Sequence, residues 1–202
     1  MDLEAPHNQI SRGIILPDNV IRAYSESHRK YHDLYHIKYM VSVLQAQYSH
    51  LPTTITDYIL WAVMYHDIVY NIPSESGLNE DLSAELFMTY HGDHSRAELI
   101  AAAIRHTKTH ILPHDLPRGF GRQIAEHLID LDLWALSDED EYLQNNAKIK
   151  AENNATDEEW IVGRGNWLRG FLERDQIYYT DLGRTRENDA RCILEADLAS
   201  LS

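Results

Sequence analysis

Three His-Asp dipeptides occur in the chain, His32-Asp33, His66-Asp67 and His114-Asp115, and an imidazole beside a carboxylate can serve metal ligation, acid–base chemistry or plain mutual hydrogen bonding. Context separates them. His114-Asp115 lies between Pro113 and Pro117, where both side chains can be solvated. His66-Asp67 sits in LWAVMYHDIVY, inside the most apolar segment of the chain. A carboxylate buried there is costly unless it meets a cation, a strong donor or a hydrated cavity. Adjacent residues on a helix project about 100° apart, so both side chains would reach one ion only at the helix edge; a buried His–Asp hydrogen bond is the plain alternative. Asp130 and Asp132 stand among leucines in LIDLDLWALS, and two solvated carboxylates are not expected in such a setting. His36 aligns with Met40 and Val43 near a buried stripe, where a satisfied core histidine is the commoner outcome.

The elements that must position these residues read as helices, with no alternating strand pattern. Asp18 or Asn19 can start a short helix carrying Val20, Ile21 and Tyr24. A second helix is predicted from about Tyr35 to Tyr48, ended by Leu51-Pro52. The segment from Thr56 to Tyr70 is apolar nearly all round and belongs at the centre of the protein. Capping boxes at Ser95/Glu98, Ser137/Asp140 and Thr156/Glu159 mark three helix starts. Asn79 can cap a helix carrying Leu82, Leu86 and Tyr90. A segment from Arg118 to Trp134 carries Ile124, Leu128 and Leu131, and a last helix begins near Arg184. Loops are expected at Asn71 to Gly77, Leu112 to Gly121 and Tyr178 to Gly183.

With 202 residues, 44% of them hydrophobic, the chain has the length of one domain and enough apolar content for a full core. Its longest apolar run is far short of the roughly 20 residues of a membrane span, and its first residues lack the pattern of a signal peptide. A lone Cys192 offers neither an internal disulfide nor a thiolate zinc cluster. These features lead us to expect a cytoplasmic protein. A formal charge of −14 repels polyanions, which argues against general nucleic-acid or anionic-membrane binding, and a small anionic substrate would need a local positive centre. Twelve histidines against eighteen Lys and Arg raise the question of a metal site.

Taken together, His36, His66-Asp67 and Asp132 resemble the H…HD…D signature of the HD superfamily of metal-dependent phosphohydrolases. RKYHDLYHI at Arg29 to Ile37 resembles the R-x-Y-H-N-x-x-H-I opening of one family of about 200 residues within it, and WAVMYHDIVYN at Trp61 to Asn71 resembles its W-F-H-D-A-V-Y-D segment. LNEDLSAEL is similar to its D-N-E-x-x-S-A-x-L, Thr107 and His110 to its T-x-x-H, and LIDLDLWALS to its L-D-A-D-L-A-I-L-G. Ile149-Lys150-Ala151-Glu152 resembles I-R-x-E, with Lys where Arg is usual, and Gly163-Arg164 with Phe171-Leu172 resembles G-R…F-L. The likeness runs in unbroken order from about Tyr24 to Leu201.

The resemblance implies an all-α, single-domain helical bundle over 1–202, with the metal-site core at about 24–136 and C-terminal helices at about 137–202 packing on it. It implies a metal centre at His36, His66, Asp67 and Asp132. Two imidazoles and two carboxylates suit a divalent ion such as Mn, Fe, Co, Ni, Zn or Mg, which would activate water and polarise a phosphoryl oxygen. That cation would also be the positive centre an acidic protein needs for a small phosphorylated substrate. Glu80 and His110 are the candidate acid–base groups, although a first-turn carboxylate such as Glu80 also stabilises its helix dipole. Paired with His106 at i, i+4 on one helical face, His110 could instead help to hold a second ion. Lys150, Arg164 and His32 are candidate phosphate contacts, each of which could equally serve a surface ion pair. The expected activity is hydrolysis of a phosphate mono- or diester, with a nucleotide among the candidates; a homo-oligomer is compatible with it. A di-iron oxygenase and a non-catalytic sensor of metal or nucleotide are the alternatives.

Overall fold

The computed structural model describes residues 9–10, 14–71 and 78–201. It is all-α apart from one small hairpin, in which β1 (Gln9–Ile10) pairs antiparallel with β2 (Ile14–Ile15). Sequence periodicity missed that hairpin because two residues are too few to show alternation. By their internal packing the residues form two compact units, 1–128 and 129–202. The expectation of one domain with a border near 136 thus meets a division some eight residues earlier, within a helix.

The first unit opens with α1 (Asp18–Tyr24), α2 (Leu34–Gln47) and α3 (Thr53–Tyr65). It continues through α4 (Leu78–His91), α5 (Ala97–His106) and the greater part of α6 (Phe120–Asp132). Pro52 precedes the first residue of α3, a place where its missing N–H costs nothing. α3 packs against α2, α4 and α5. Ile59, Ala62 and Val63 are wholly buried, so the helix read as apolar all round is central to this unit. Val20, Ile37, Met40, Val41, Phe87, Ile100, Ile104 and Ile124 complete the core.

The second unit takes the end of α6, a 3-10 turn at Trp134–Ser137, α7 (Glu139–Glu152), α8 (Asp157–Leu172), the short α9 (Asp181–Arg184) and α10 (Glu187–Ser200). α10 packs on α8 and on the 3-10 turn, which also carries α7. A polar knot ties α7, α8 and α10 together. Arg164 is buried, and its Nε donates to Asp197 at 3.2 Å while Nη2 donates to Tyr142 Oη and Asn146 Oδ1, both at 2.6 Å. The Tyr142 hydroxyl donates to Asp197 at 2.5 Å, and burial above all pushes its pKa up to about 12.

Two of the three predicted capping boxes are not formed. Thr156 and Glu159 make theirs in full. Ser137 instead donates to the Trp134 carbonyl and accepts from Arg186 Nε, so Asp138 caps α7 by accepting from the Glu141 N–H. α5 starts after Arg96 with no side-chain cap, one residue beyond the predicted Ser95. Asn79 is no cap either: it lies inside α4, buried, with its amide bonded to the Asn71 backbone. Of the predicted loop from Asn71 to Gly77, residues 72–77 lie outside those described. Among the described residues no helix is long and apolar enough to cross a membrane.

Candidate metal centre

His36 reaches the site from the first turn of α2. That turn is fixed by Asp33, whose carboxylate accepts from the Tyr35 N–H at 2.8 Å and the His36 N–H at 3.2 Å. The Asp of the first His-Asp pair is therefore a helix cap, and only its His faces the chemistry. His66 and Asp67 are brought in by the end of α3. The apolar pattern continues through Ile68 and Val69, which is why a helix to Tyr70 was predicted. The helix in fact stops at Tyr65, with His66 as its C-cap and Asp67 in the following turn. Leaving the helix removes the 100° separation expected of neighbours, and both side chains turn towards His36.

The three residues offer ligand atoms that all lie within 4.8 Å of one another, and all three are buried. His66 Nε2 is 3.3 Å from His36 Nε2 and 3.1 Å from Asp67 Oδ2. His66 Nδ1 lies 2.9 Å from the Val63 carbonyl oxygen. A carbonyl only accepts, so Nδ1 carries the proton and the neutral ring presents the Nε2 lone pair to its two neighbours. A lone pair aimed at a carboxylate oxygen 3.1 Å away is repulsive unless a proton or a cation lies between them. Ligands about 2.1 Å from one ion and at right angles to each other stand about 3.0 Å apart, close to both distances here. The buried His36–His66–Asp67 group could thus hold a metal ion, and the hydrogen bond to Val63 is the kind of outer contact that fixes a ligating histidine.

His32 borders the group, with Nε2 3.8 Å from Asp67 Oδ2 and its ring stacked on Tyr70 at 4.2 Å. Glu80 is in the first turn of α4, and its Oε2 is shielded from solvent with no hydrogen-bond partner. Ser83 and Asn79 join that helix to the segment after Asp67: Ser83 Oγ accepts from the Val69 N–H at 3.1 Å, and the Asn79 amide pairs with the Asn71 backbone. His106 and His110 do not share a helical face as predicted. α5 ends at His106, and His110 closes the last turn in the left-handed region at φ 53°.

Three predicted residues belong to the second unit. Asp132 is the half-buried last residue of α6. Lys150 pairs with the exposed Asp157, and Arg164 lies in the polar knot described above, so for both the structure gives the ion-pair alternative. Asp130, the other carboxylate of LIDLDL, is completely buried and accepts from the Tyr179 N–H at 2.7 Å, the Thr180 N–H at 2.8 Å and the Thr180 hydroxyl at 2.6 Å. It is a structural acceptor.

Sequence reasoning passed over Arg29 and Tyr24. The buried Arg29 donates from Nη1 to the Asp67 carbonyl at 2.7 Å and from Nη2 to the Ile68 carbonyl at 3.0 Å. The Tyr24 hydroxyl accepts from the Asp67 N–H at 3.1 Å. The available signal was an Arg three residues ahead of a His-Asp pair, but its partners are backbone carbonyls, which no residue pattern announces. Compared with known proteins, the chain matches no family model, no curated protein and no solved structure.

Proposed function

We propose that the protein is a metal-dependent phosphohydrolase of the HD type, cleaving a phosphate mono- or diester of a small substrate, with nucleotides first among the candidates. The observation that carries this reading is the convergence of His36 Nε2, His66 Nε2 and Asp67 Oδ2 in a buried group whose central imidazole has its proton fixed on the far nitrogen. A divalent ion bound there supplies Lewis-acid polarisation of a phosphoryl oxygen and lowers the pKa of water towards neutrality. In this reading the chain's own residues do the rest. Val63 holds the His66 tautomer, His32 contacts the phosphate beside Asp67, and the shielded carboxylate oxygen of Glu80 positions or deprotonates water. Asp132 as a further ligand, His110 as an acid–base group and Lys150 and Arg164 as substrate contacts rest on the resemblance alone.

The test is metal analysis of the purified protein combined with a screen of nucleotides and generic phosphoesters against Mn, Fe, Co, Ni, Zn and Mg. Phosphate release that disappears together with bound metal in His66→Ala and Asp67→Ala supports the reading. Unchanged metal content in both variants places the site elsewhere and overturns it. Two irons per chain with consumption of dioxygen would identify an oxygenase. Ligand-induced stabilisation without turnover would identify a sensor.

A further inference from the structure

We propose that Arg29 is the positioning residue of the metal centre: one guanidinium, without touching the ion, sets the spacing between the chain segment that delivers His36 and the turn that delivers His66 and Asp67. The inference rests on the metal reading above and names a residue that the reading does not need. Arg29 Nη1 donates to two carbonyl oxygens, of His32 at 3.0 Å and of Asp67 at 2.7 Å. The first stands immediately before Asp33, the cap that fixes the first turn of α2 and with it His36. The second belongs to the ligand Asp67 itself. Nη2 adds the Ile68 carbonyl at 3.0 Å. Both ligand-bearing segments are thus fastened to the same rigid plane.

That plane is itself held from three sides. Nε donates to Glu26 Oε2 at 3.0 Å, the Tyr24 ring lies 4.9 Å from the guanidinium carbon, and the Tyr70 ring lies 5.4 Å from it. Tyr24 also grips the Asp67 N–H, so backbone donor and acceptor of one ligand are both fixed. The carbonyls of residues 67 and 68 follow a helix that has ended, where no further turn supplies donors. Only a planar fork can serve three carbonyls on two segments at once. A lysine ammonium has the charge without the geometry.

The test measures Co(II) binding to the metal-free protein by titration of its visible absorption, beside thermal unfolding of the same samples. Arg29→Lys keeps the charge. It is expected to weaken Co(II) binding by about 10- to 100-fold, the range found when outer contacts of ligands are lost. The absorption band should shift in position and intensity while the melting temperature of the metal-free protein stays within a few degrees. A wild-type affinity and band in Arg29→Lys overturn the proposal. Should that variant not fold, Glu26→Ala decides, since it frees only Nε at a half-exposed position: weakening of about threefold with a changed band supports the proposal, and an unchanged titration overturns it. No Co(II) binding by the wild-type protein would instead overturn the metal reading itself.

Discussion

Two aspartates that look alike in the sequence, each set among apolar residues, end in opposite environments. Asp130 in the second unit is completely buried, and every printed neighbour of its carboxylate is a donor: two backbone N–H groups and a hydroxyl. Asp67 in the first unit is nearly as buried, yet its Oδ2 faces His66 Nε2, which in the neutral ring is itself an acceptor. The first carboxylate has its hydrogen bonds satisfied by the fold, and the second awaits a cation. The two units differ in the same sense. All twelve histidines fall within 1–128, whereas 129–202 has none and carries eight Lys and Arg against seventeen Asp and Glu, a net −9 of the total −14. Most of the negative charge therefore belongs to the unit without the metal group, which sharpens what the composition alone suggested.

The contrast can be broken most directly at Asp130. Asp130→Ala strands three buried donors and should cost about 3–5 kcal/mol of stability in denaturant titrations; a loss under 1 kcal/mol would remove the distinction drawn here. Asp67→Ala should behave in the reverse way. Without metal its stability should stay within about 1 kcal/mol of the wild type or exceed it, because an ill-matched carboxylate has been removed. With a divalent ion at about 100 times its Kd, the wild type alone should gain about 2.7 kcal/mol. Gly183 sharpens the Asp130 side: a Cβ there would collide with that carboxylate, so Gly183→Ala should destabilise by about 1–3 kcal/mol.

The smallest effect concerns acid. Burial, as the largest cause, holds the pKa of His127 below its usual 6.5, with its Nδ1 donating to the Gln123 carbonyl at 2.7 Å. The fold therefore prefers the neutral ring. Its contribution is complete above pH 6.5 and is lost as the pH falls from there towards the folded pKa, by at most about 1.4 kcal/mol per pH unit. His127→Gln should flatten the stability profile in that window. A profile unchanged by the substitution would contradict the burial argument.

How much of this could be read from residues alone differs by level. α1, α2 and the central place of α3 follow from apolar spacing, because helices bury what they space at 3.6 residues. Where α3 ends does not follow, since Ile68 and Val69 continue the pattern after the backbone has left it. The Thr156 box is local and forms as written, while Ser137 is drawn away by Arg186, a tertiary partner that no local rule contains. His36, His66 and Asp67 were legible by type, and their convergence required the helix end. Lys150 and Arg164 carry the right charge for a phosphate, but Asp157 and Asp197 claim it, and only the folded packing reveals that.

The burial of the three candidate ligands, at 5%, 0% and 7% of full exposure, bears on kinetics as much as on affinity. A chelator in solution cannot touch such side chains, so an ion among them would leave at the pace of local opening of α2 and the end of α3 rather than at the pace of its own ligand bonds. Loading would then belong to the moment of folding, and the ion acquired at that moment would stay with the molecule long after the surrounding metal supply had changed.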